Sequence, residues 1–461
     1  MEEHRQSLSK ALIAGVNVID TSANYADGGS ESLIGNVLKE LIASGNIERR
    51  NITLITKGGY IQGRNLTVAK EKRARGNAFR DVIEFNEKLW HSISPDFLED
   101  QFRRQFERLK VDFVDTYLLH NPEYSLSFRT SAGASLEENR NLFYDRIEKA
   151  FEFLEEKVSE GRIRDYGISS NTFVSYKEST EFVSLERCVS AAEKVAGSDN
   201  HFRSVQFPLN LFEGGAVTVR NNSDSTKTVL EYAVERGMKV YVNRPLNAIM
   251  STGLVRLADF KADDFREKDF IRQNELVKQM EADITNEILP REGVEGDELK
   301  LISEKFNTGR MIYENWKFFG SIEHLNDMIM QIYTPSISEI SHFAESRKSN
   351  ENLYLHILKY VHECHKLMNF VSNYYKLRAG KRAQFIHGLI NEHLPPGYHG
   401  LSLAGKALLV TASVRGVSSV LLGMRKPGYV DDALEVMKLG KIDNAEEIIR
   451  HASSDILNIK S

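Results

Sequence analysis

The chain has 461 residues, 41% of them hydrophobic and 27% charged, the balance of a folded globular protein rather than of a disordered one. Its net charge of −5 gives no general attraction for nucleic acid or an anionic membrane, and no apolar run approaches the ~20 residues of a membrane span. Cys188 and Cys364 are its two cysteines: they form no disulfide framework, and with the polar, signal-free start MEEHRQSLSK they make the cytoplasm the expected location.

Up to about residue 250, helix-like and strand-like segments alternate. SLSKALIAG leads to VNVID, SESLIGNVLKELIASG to ITLIT, and SPDFLEDQFRRQFERL to FVDTYLL. In the third helix Ser94 can cap, Pro95 suits the first turn and Asp96 favours the positive end of the dipole. YDRIEKAFEFLEEKVSEG then leads to DYGIS, followed by SVQFPLN and KVYVNRPL. Short apolar strands between long amphipathic helices predict a parallel sheet, either open or closed into a barrel.

The alternation stops at about residue 254. From 254 to 400 the apolar residues recur at helical spacing, as in NENLYLHILKYVHECHKLMNFVSNYYKL, which predicts a folded helical insert. LPPGYHG closes it with turn residues. LSLAGKALLVTASVRG then reads as a helix, VSSVLLG as a strand and PGYVDDALEVMKLG as a helix. The expected organisation is a discontinuous barrel of residues 1–253 and 401–441, an insert of 254–400, and a helical tail of 442–461.

Three strings end probable strands with reactive side chains: VNVIDTSANY with Asp20 and Tyr25, NITLITKGG with Lys57, and VDFVDTYLLHNPE with His120. The first continues into Gly29, Ser30, Glu31 and Gly35 after Gly15, Asp20, Thr21 and Tyr25, at intervals that resemble the signature of the aldo-keto reductase superfamily. EGRIRDYGISSNTF, VQFPLNLFE, VNRPLNA and VSSVLLGMRKPGYVDDALE resemble its later strands in order, so the likeness covers nearly the whole chain outside the insert. It implies a (β/α)8 TIM-type barrel with its active site at the strand C-termini. No G-x-G-x-x-G follows a strand, which disfavours a Rossmann domain.

The resemblance implies a catalytic tetrad of Asp20, Tyr25, Lys57 and His120. Carbonyl reduction needs a hydride on carbon and a proton on oxygen. Free tyrosine, with a pKa of about 10, is a poor proton donor at neutral pH, and an adjacent ammonium favours the phenolate. Lys57 would supply that charge, Asp20 would hold Lys57, and His120 would orient the carbonyl. Tyr25 would then be the general acid. The family places Ser169, Ser170 or Asn171, and Gln206 against a nicotinamide, with Arg244, Pro245 and Leu246 beside the cofactor. Gly423, Met424, Arg425 and Lys426 match its phosphate-side turn and Asp432 its adenine contact. NADP is the expected cofactor and NAD the alternative, because a guanidinium suits a ribose 2′-phosphate.

Two features depart from the family pattern. The strand that normally precedes ALIAGVNVID is absent here, and a missing barrel strand would expose two sheet edges. The insert follows NRPLNAIMSTG on the expected catalytic face, as a cover for the cofactor or a docking site for a protein partner. No metal is expected: HECH at His362–His365 reads as an ordinary amphipathic helix. KEKRAR at Lys70–Arg75 reads as a solvated loop. The sequence therefore predicts an NADP-dependent oxidoreductase acting on an aldehyde, ketone or sugar carbonyl. The alternative is a cofactor-binding regulatory or partner-binding subunit, or a truncated inactive product.

Overall fold

A computed structural model describes residues 2–131, 133, 135–250 and 253–455. The chain forms two compact units, Met1–Ile249 with His393–Ser461, and Met250–Glu392.

The first unit is built on seven parallel strands in sequential order: β1 Val18–Asp20, β2 Thr53–Gly58, β3 Val114–His120, β4 Ile163–Ser169, β5 Phe202–Pro208, β6 Lys239–Asn243 and β7 Ser419–Val420. Helices connect successive strands and cover the sheet, so its central members are buried on both faces. All seven residues of β3 are buried, as expected for a parallel strand sandwiched between side-chain layers.

The sheet is nearly closed into a barrel. In a flat sheet β1 and β5 would stand about 19 Å apart, at roughly 4.8 Å per strand. Instead the Gln206 amide on β5 donates to Asp20 on β1 at 3.0 Å. Ile55 of β2, Leu118 of β3 and Tyr241 of β6 share one interior cluster, with Val18 and Leu421 packed against it. Among the described residues no strand pairs the outer edges of β1 and β7. The expected last strand, VSSVLLG, is only two residues long and pairs with β6 alone, a brevity that limits the exposed edge.

Close approach in this unit depends on glycine. A Cβ on Gly167, in β4, would lie 1.9 Å from the Ser204 carbonyl of β5. A Cβ on Gly35 would lie 2.5 Å from the carbonyls of Arg108 and Leu109, where helix Gly29–Ala43 meets the end of helix Pro95–Leu109.

The run Lys70–Arg75 is not a loop. Lys70–Ala74 close the helix Gly63–Ala74, and Arg75 is its C-cap. Leu66 and Ala69 are buried at helical spacing. Asp27 Oδ1 accepts from the Arg64 amide at 2.9 Å and so satisfies the helix start. Lys70 and Arg73 lie over the Trp90 ring, which holds this cationic face against the protein.

The second unit opens with a short strand, Gly253–Arg256, and is otherwise helical, ending in the 41-residue helix Glu351–Asn391. Phe270, Trp316, Tyr360 and Tyr375 are buried in its own core. The Tyr360 hydroxyl donates to Glu281 at 3.0 Å and that of Tyr375 to the Trp316 carbonyl at 2.9 Å, so the buried phenols are satisfied. Helical turns widen at Ile284–Ile288 and Ile329–Tyr333. Pro290 and Pro335 follow them, and a proline that cannot donate to the preceding turn is a sufficient cause. In the HECH segment His362 and His365 are exposed while Cys364 is buried, its thiol pushed up to about 12 by burial. The three side chains share no face. No helix among the described residues is long and apolar enough to cross a membrane.

Replacing Gly167 with Ala should force β4 and β5 apart. Overpacking of this kind costs about 1–3 kcal/mol, and the test is a lower denaturant midpoint at unchanged m-value.

Candidate active site

Parallel strands deliver their C-terminal residues to one end of a sheet. The register aligns His120 with Ser169 and Ser169 with Gln206, one row across β3, β4 and β5. The bond from Gln206 to Asp20 brings that row back to β1. Lys57, on β2, fills the space between.

Lys57 is fully buried. Its Nζ donates to Asp20 Oδ2 at 2.6 Å, to the Thr21 carbonyl at 3.0 Å and to the Tyr25 hydroxyl at 3.4 Å. Burial by itself pulls the Lys57 pKa down, but Asp20 and Tyr25 outweigh it and the ammonium is held above its ordinary range. Three donor protons meet three acceptors, so the charge is fully satisfied. The strand carrying Lys57 is fixed from behind. Gln105 Nε2 donates to the Lys57 carbonyl at 2.9 Å and to buried Glu31 at 3.0 Å. Glu31 also accepts from Thr56 at 2.6 Å and pairs with Arg108 Nη2 at 2.6 Å.

Tyr25 is the exposed member of the group, 38% accessible. It opens a tight turn in which Ala26, Asp27 and Gly28 have φ of 50°, 53° and 84°. Two consecutive left-handed non-glycine residues cost roughly 1–2 kcal/mol each. The turn is held by Asp27 on the Arg64 amide and by Ser32 on the Gly28 carbonyl at 3.2 Å. It aims the phenol back at Lys57, whose ammonium lies 4.9 Å from the ring centre.

His120 is buried, and burial, then the charge of Lys57, keeps its pKa well below the ordinary imidazole value. Its Nδ1 lies 3.0 Å from Ser22 Oγ, and Nε2 has no partner among the described residues. The Ser22 proton can go to His120 or to Asn24 Oδ1 at 2.6 Å. Given to His120, it leaves Nε2 as the protonated ring nitrogen; given to Asn24, it leaves the ring proton on Nδ1 and Nε2 as an acceptor.

An aromatic wall adjoins His120. Tyr60 meets it edge to face at 4.7 Å, Tyr124 meets Tyr60 at 5.5 Å, and Phe85 meets Tyr124 at 5.2 Å. His91 Nε2 donates to the His120 carbonyl at 2.7 Å, and burial pulls its pKa to about 4. A donor is required at a carbonyl oxygen, so neutral His91 carries its proton on Nε2.

The other sequence-derived residues occupy the same end of this unit or the segments beyond it. Ser169 Oγ donates to Gln206 Oε1 at 2.8 Å, and Ser170 Oγ lies 3.2 Å from Thr172 Oγ1. The Asn171 amide donates to Glu123 at 2.9 Å. Arg244 stands just past β6 with φ 55°, pairs with Glu213 at 2.5 Å and precedes buried Pro245 and half-buried Leu246. Gly423, Arg425 and Lys426 follow β7 and are exposed. Lys426 caps the helix Pro427–Met437, which carries exposed Asp432. Asn243 Oδ1, at the end of β6, is buried without a partner among the described residues.

Sequence reasoning gave no role to Ser22, Tyr60, His91 or Glu123. Ser22 and Glu123 lie inside the strings that carry Tyr25 and His120, so position alone pointed to them. Tyr60 and His91 had no such signal, because they reach the site through a small three-stranded antiparallel sheet, Tyr60–Ile61, Ile83–Asn86 and Leu89–His91.

A buried ammonium between a carboxylate and a partly exposed phenol, beside a neutral imidazole, is an arrangement chemically able to move a proton onto oxygen. The Aldo/keto reductase family profile matches residues 1–298, and the chain belongs to that family of oxidoreductases. It is 26% identical over 181 residues to the uncharacterized oxidoreductase YqkF of Bacillus subtilis, covering 39% of this chain and 44% of that one. It is 25% identical over 164 residues to an NADH-specific methylglyoxal reductase of Escherichia coli, covering 36% and 40%. The chain thus spans less than half the length of these relatives. Among solved structures it is similar to the aldo-keto reductase AKR11C1 of Bacillus halodurans, with a TM-score of 0.45 and 15% identity over 97% of this chain and 86% of that one.

Glu123 gives a pH-dependent test. Burial, partly opposed by the Asn171 amide, raises its carboxyl from 4.5 to about 7. The folded state therefore holds this proton more tightly than the unfolded chain. The stability it contributes is complete below pH 4.5 and is lost as pH rises through 7, by on the order of 3 kcal/mol. Glu123→Gln cannot ionise. It should raise the melting midpoint relative to wild type at pH 8 and leave it nearly unchanged at pH 5.

Proposed function

We propose that this chain is a reversible NADP-dependent reductase of an aldehyde, ketone or sugar carbonyl, with Tyr25 as the proton donor. The observation that carries this reading is the single contact chain Asp20–Lys57–Tyr25, 2.6 Å and 3.4 Å long, at the end of the sheet where His120 presents Nε2. A carbonyl oxygen placed between Tyr25 and His120 would receive a hydrogen bond from Tyr25, and one from His120 when Nε2 carries the ring proton. As Tyr25 gives up its proton, the negative charge left on its oxygen faces the Lys57 ammonium. Asp20 keeps that ammonium charged and in position inside a low-dielectric site, where the interaction is strong. The Tyr60–Tyr124–Phe85 wall excludes water on the His120 side and favours a substrate with an apolar or aromatic body. Cys188 and Cys364, both free and buried, suit a reducing cytoplasm.

The residues fit a nicotinamide dinucleotide. Ser169, Ser170 and Asn171 offer hydroxyl and amide groups near the catalytic end, and Asn243 Oδ1, at the end of β6 with β5 between, is a buried acceptor without a partner among the described residues. Arg425 and Lys426 have no ion pair among the described residues and precede a helix N-terminus, a donor set suited to phosphate. Such a cofactor, when bound, supplies the hydride. NAD is the alternative, since nothing but these two side chains favours a 2′-phosphate.

Tyr25→Phe should lower kcat for carbonyl reduction at least a hundredfold while sparing NADPH affinity, because the ring stays and the proton donor goes. Near-normal kcat would remove Tyr25 from its role, and NADPH binding without any turnover in the parent protein would point to a cofactor-binding subunit.

Arg425→Ala should weaken NADPH by about ten- to a hundredfold, the equivalent of a charged hydrogen bond of 1.5–3 kcal/mol. NADH should be little affected. Titration of nucleotide fluorescence reads both, and an equal loss would show that Arg425 does not contact the 2′-phosphate.

A further inference from the structure

We propose that His393, Glu447 and His451 bind a divalent transition-metal ion, with Zn2+ the best-matched, at a structural site remote from the carbonyl chemistry. The ligand atoms of the three residues all lie within 4.8 Å of one another. Glu447 and His451 are four residues apart on the helix Ala445–Asp455, so they project from one face. His393 comes from a separate stretch of the same unit, just before the helix Leu403–Ser413.

The scaffold beneath these side chains is firm. Ile448, Ile449 and Ala452 bury the opposite face of the helix. Asn444 Nδ2, at the helix start, donates to the His393 carbonyl at 2.7 Å. Both ligand-bearing segments are thus tied together by a side-chain-to-backbone bond before any metal is considered, which is the preorganisation a site needs. Arg450, a cation on the same helix, is committed elsewhere: it donates to the Val217 carbonyl at 3.2 Å and pairs with Glu446 at 3.6 Å.

The two imidazole rings lie parallel, 4.2 Å apart at 9°, and Glu447 Oε1 is 3.8 Å from His451 Nε2. Stacked rings aim their lone pairs side by side, not at a common point. For tetrahedral coordination with bonds of about 2.1 Å, the donor atoms must close to roughly 3.4 Å. The rings must therefore tilt toward each other. Glu447 and His451 are 60% and 48% exposed, so rotation meets little steric resistance. Two imidazoles and one carboxylate form an N2O set that suits Zn2+ and its neighbours, whereas Mg2+ and Ca2+ prefer oxygen alone. With three protein ligands, water completes the sphere. The ion would pin the C-terminal helix to the segment at His393 and close a long loop, so its effect falls on stability.

The test uses tag-free full-length protein stripped with EDTA and titrated calorimetrically with ZnCl2. One Zn2+ per chain is expected, with Kd in the micromolar range and a higher melting midpoint. His393→Ala and His451→Ala should each weaken binding at least tenfold, Glu447→Gln somewhat less, and MgCl2 should not saturate the protein. A His362→Ala/His365→Ala double variant controls for the other exposed histidine pair and should bind as wild type. All these side chains are at least partly exposed, so the variants should fold. Absence of saturable Zn2+ binding, or binding that survives both His393→Ala and His451→Ala, would overturn the site.

Discussion

The Lys57–Asp20 ion pair is the contact around which the candidate site is organised. An ammonium with no solvent exposure is costly: the effective penalty for desolvating such an ion is several kcal/mol. The fold meets this with a carboxylate at 2.6 Å, a carbonyl at 3.0 Å and a phenol at 3.4 Å, leaving no ammonium proton unpaired. Replacing such a pair with hydrocarbon often preserves or raises stability. Its presence is thus poorly explained as a stabilising device, which agrees with the role proposed for Lys57 beside Tyr25.

Holding that charge in place falls to groups that never touch it. Glu31 is also fully buried and collects Thr56, Gln105 and Arg108 around one carboxylate. Gln105 in turn grips the Lys57 carbonyl, and the Tyr117 hydroxyl donates to Gln105 at 2.9 Å. These bonds join two helices to β2 and β3 behind the site. Gly35 and Gly167 let the same elements approach to distances that a methyl group would forbid. Strain in the turn after Tyr25 is tolerated because its surroundings over-determine it.

The second unit interrupts the first between β6 and β7. Val240 of β6 and Ser418 beside β7 bond although they are 178 positions apart. Loop closure grows only with the logarithm of length, so such an insertion costs far less than its size suggests. The inserted residues build a separate aromatic and aliphatic core, which offsets the entropy of ordering them.

Much of the first unit and its candidate site could be read in the chain, because strand C-termini of a parallel sheet share one end and Asp20, Tyr25, Lys57 and His120 each sit at or just past one. Periodicity likewise marked the helices of the second unit, since burial of one helical face imposes it locally. The charged run Lys70–Arg75 reads as loop in the sequence but ends a helix, because that helix is stabilised by Asp27 and Trp90, partners distant in sequence. Residue types and their order along the chain suffice to show which side chains could carry proton chemistry and in what order the strands deliver them. Packing, by contrast, is what brings Gln206 to Asp20, Ser22 against His120 Nδ1, Tyr60 and His91 onto the flank of His120, and His393 to His451. Each of these is a contact across strands or helices whose distance depends on how the sheet curls and how the helices pack, and neither quantity is encoded in local spacing.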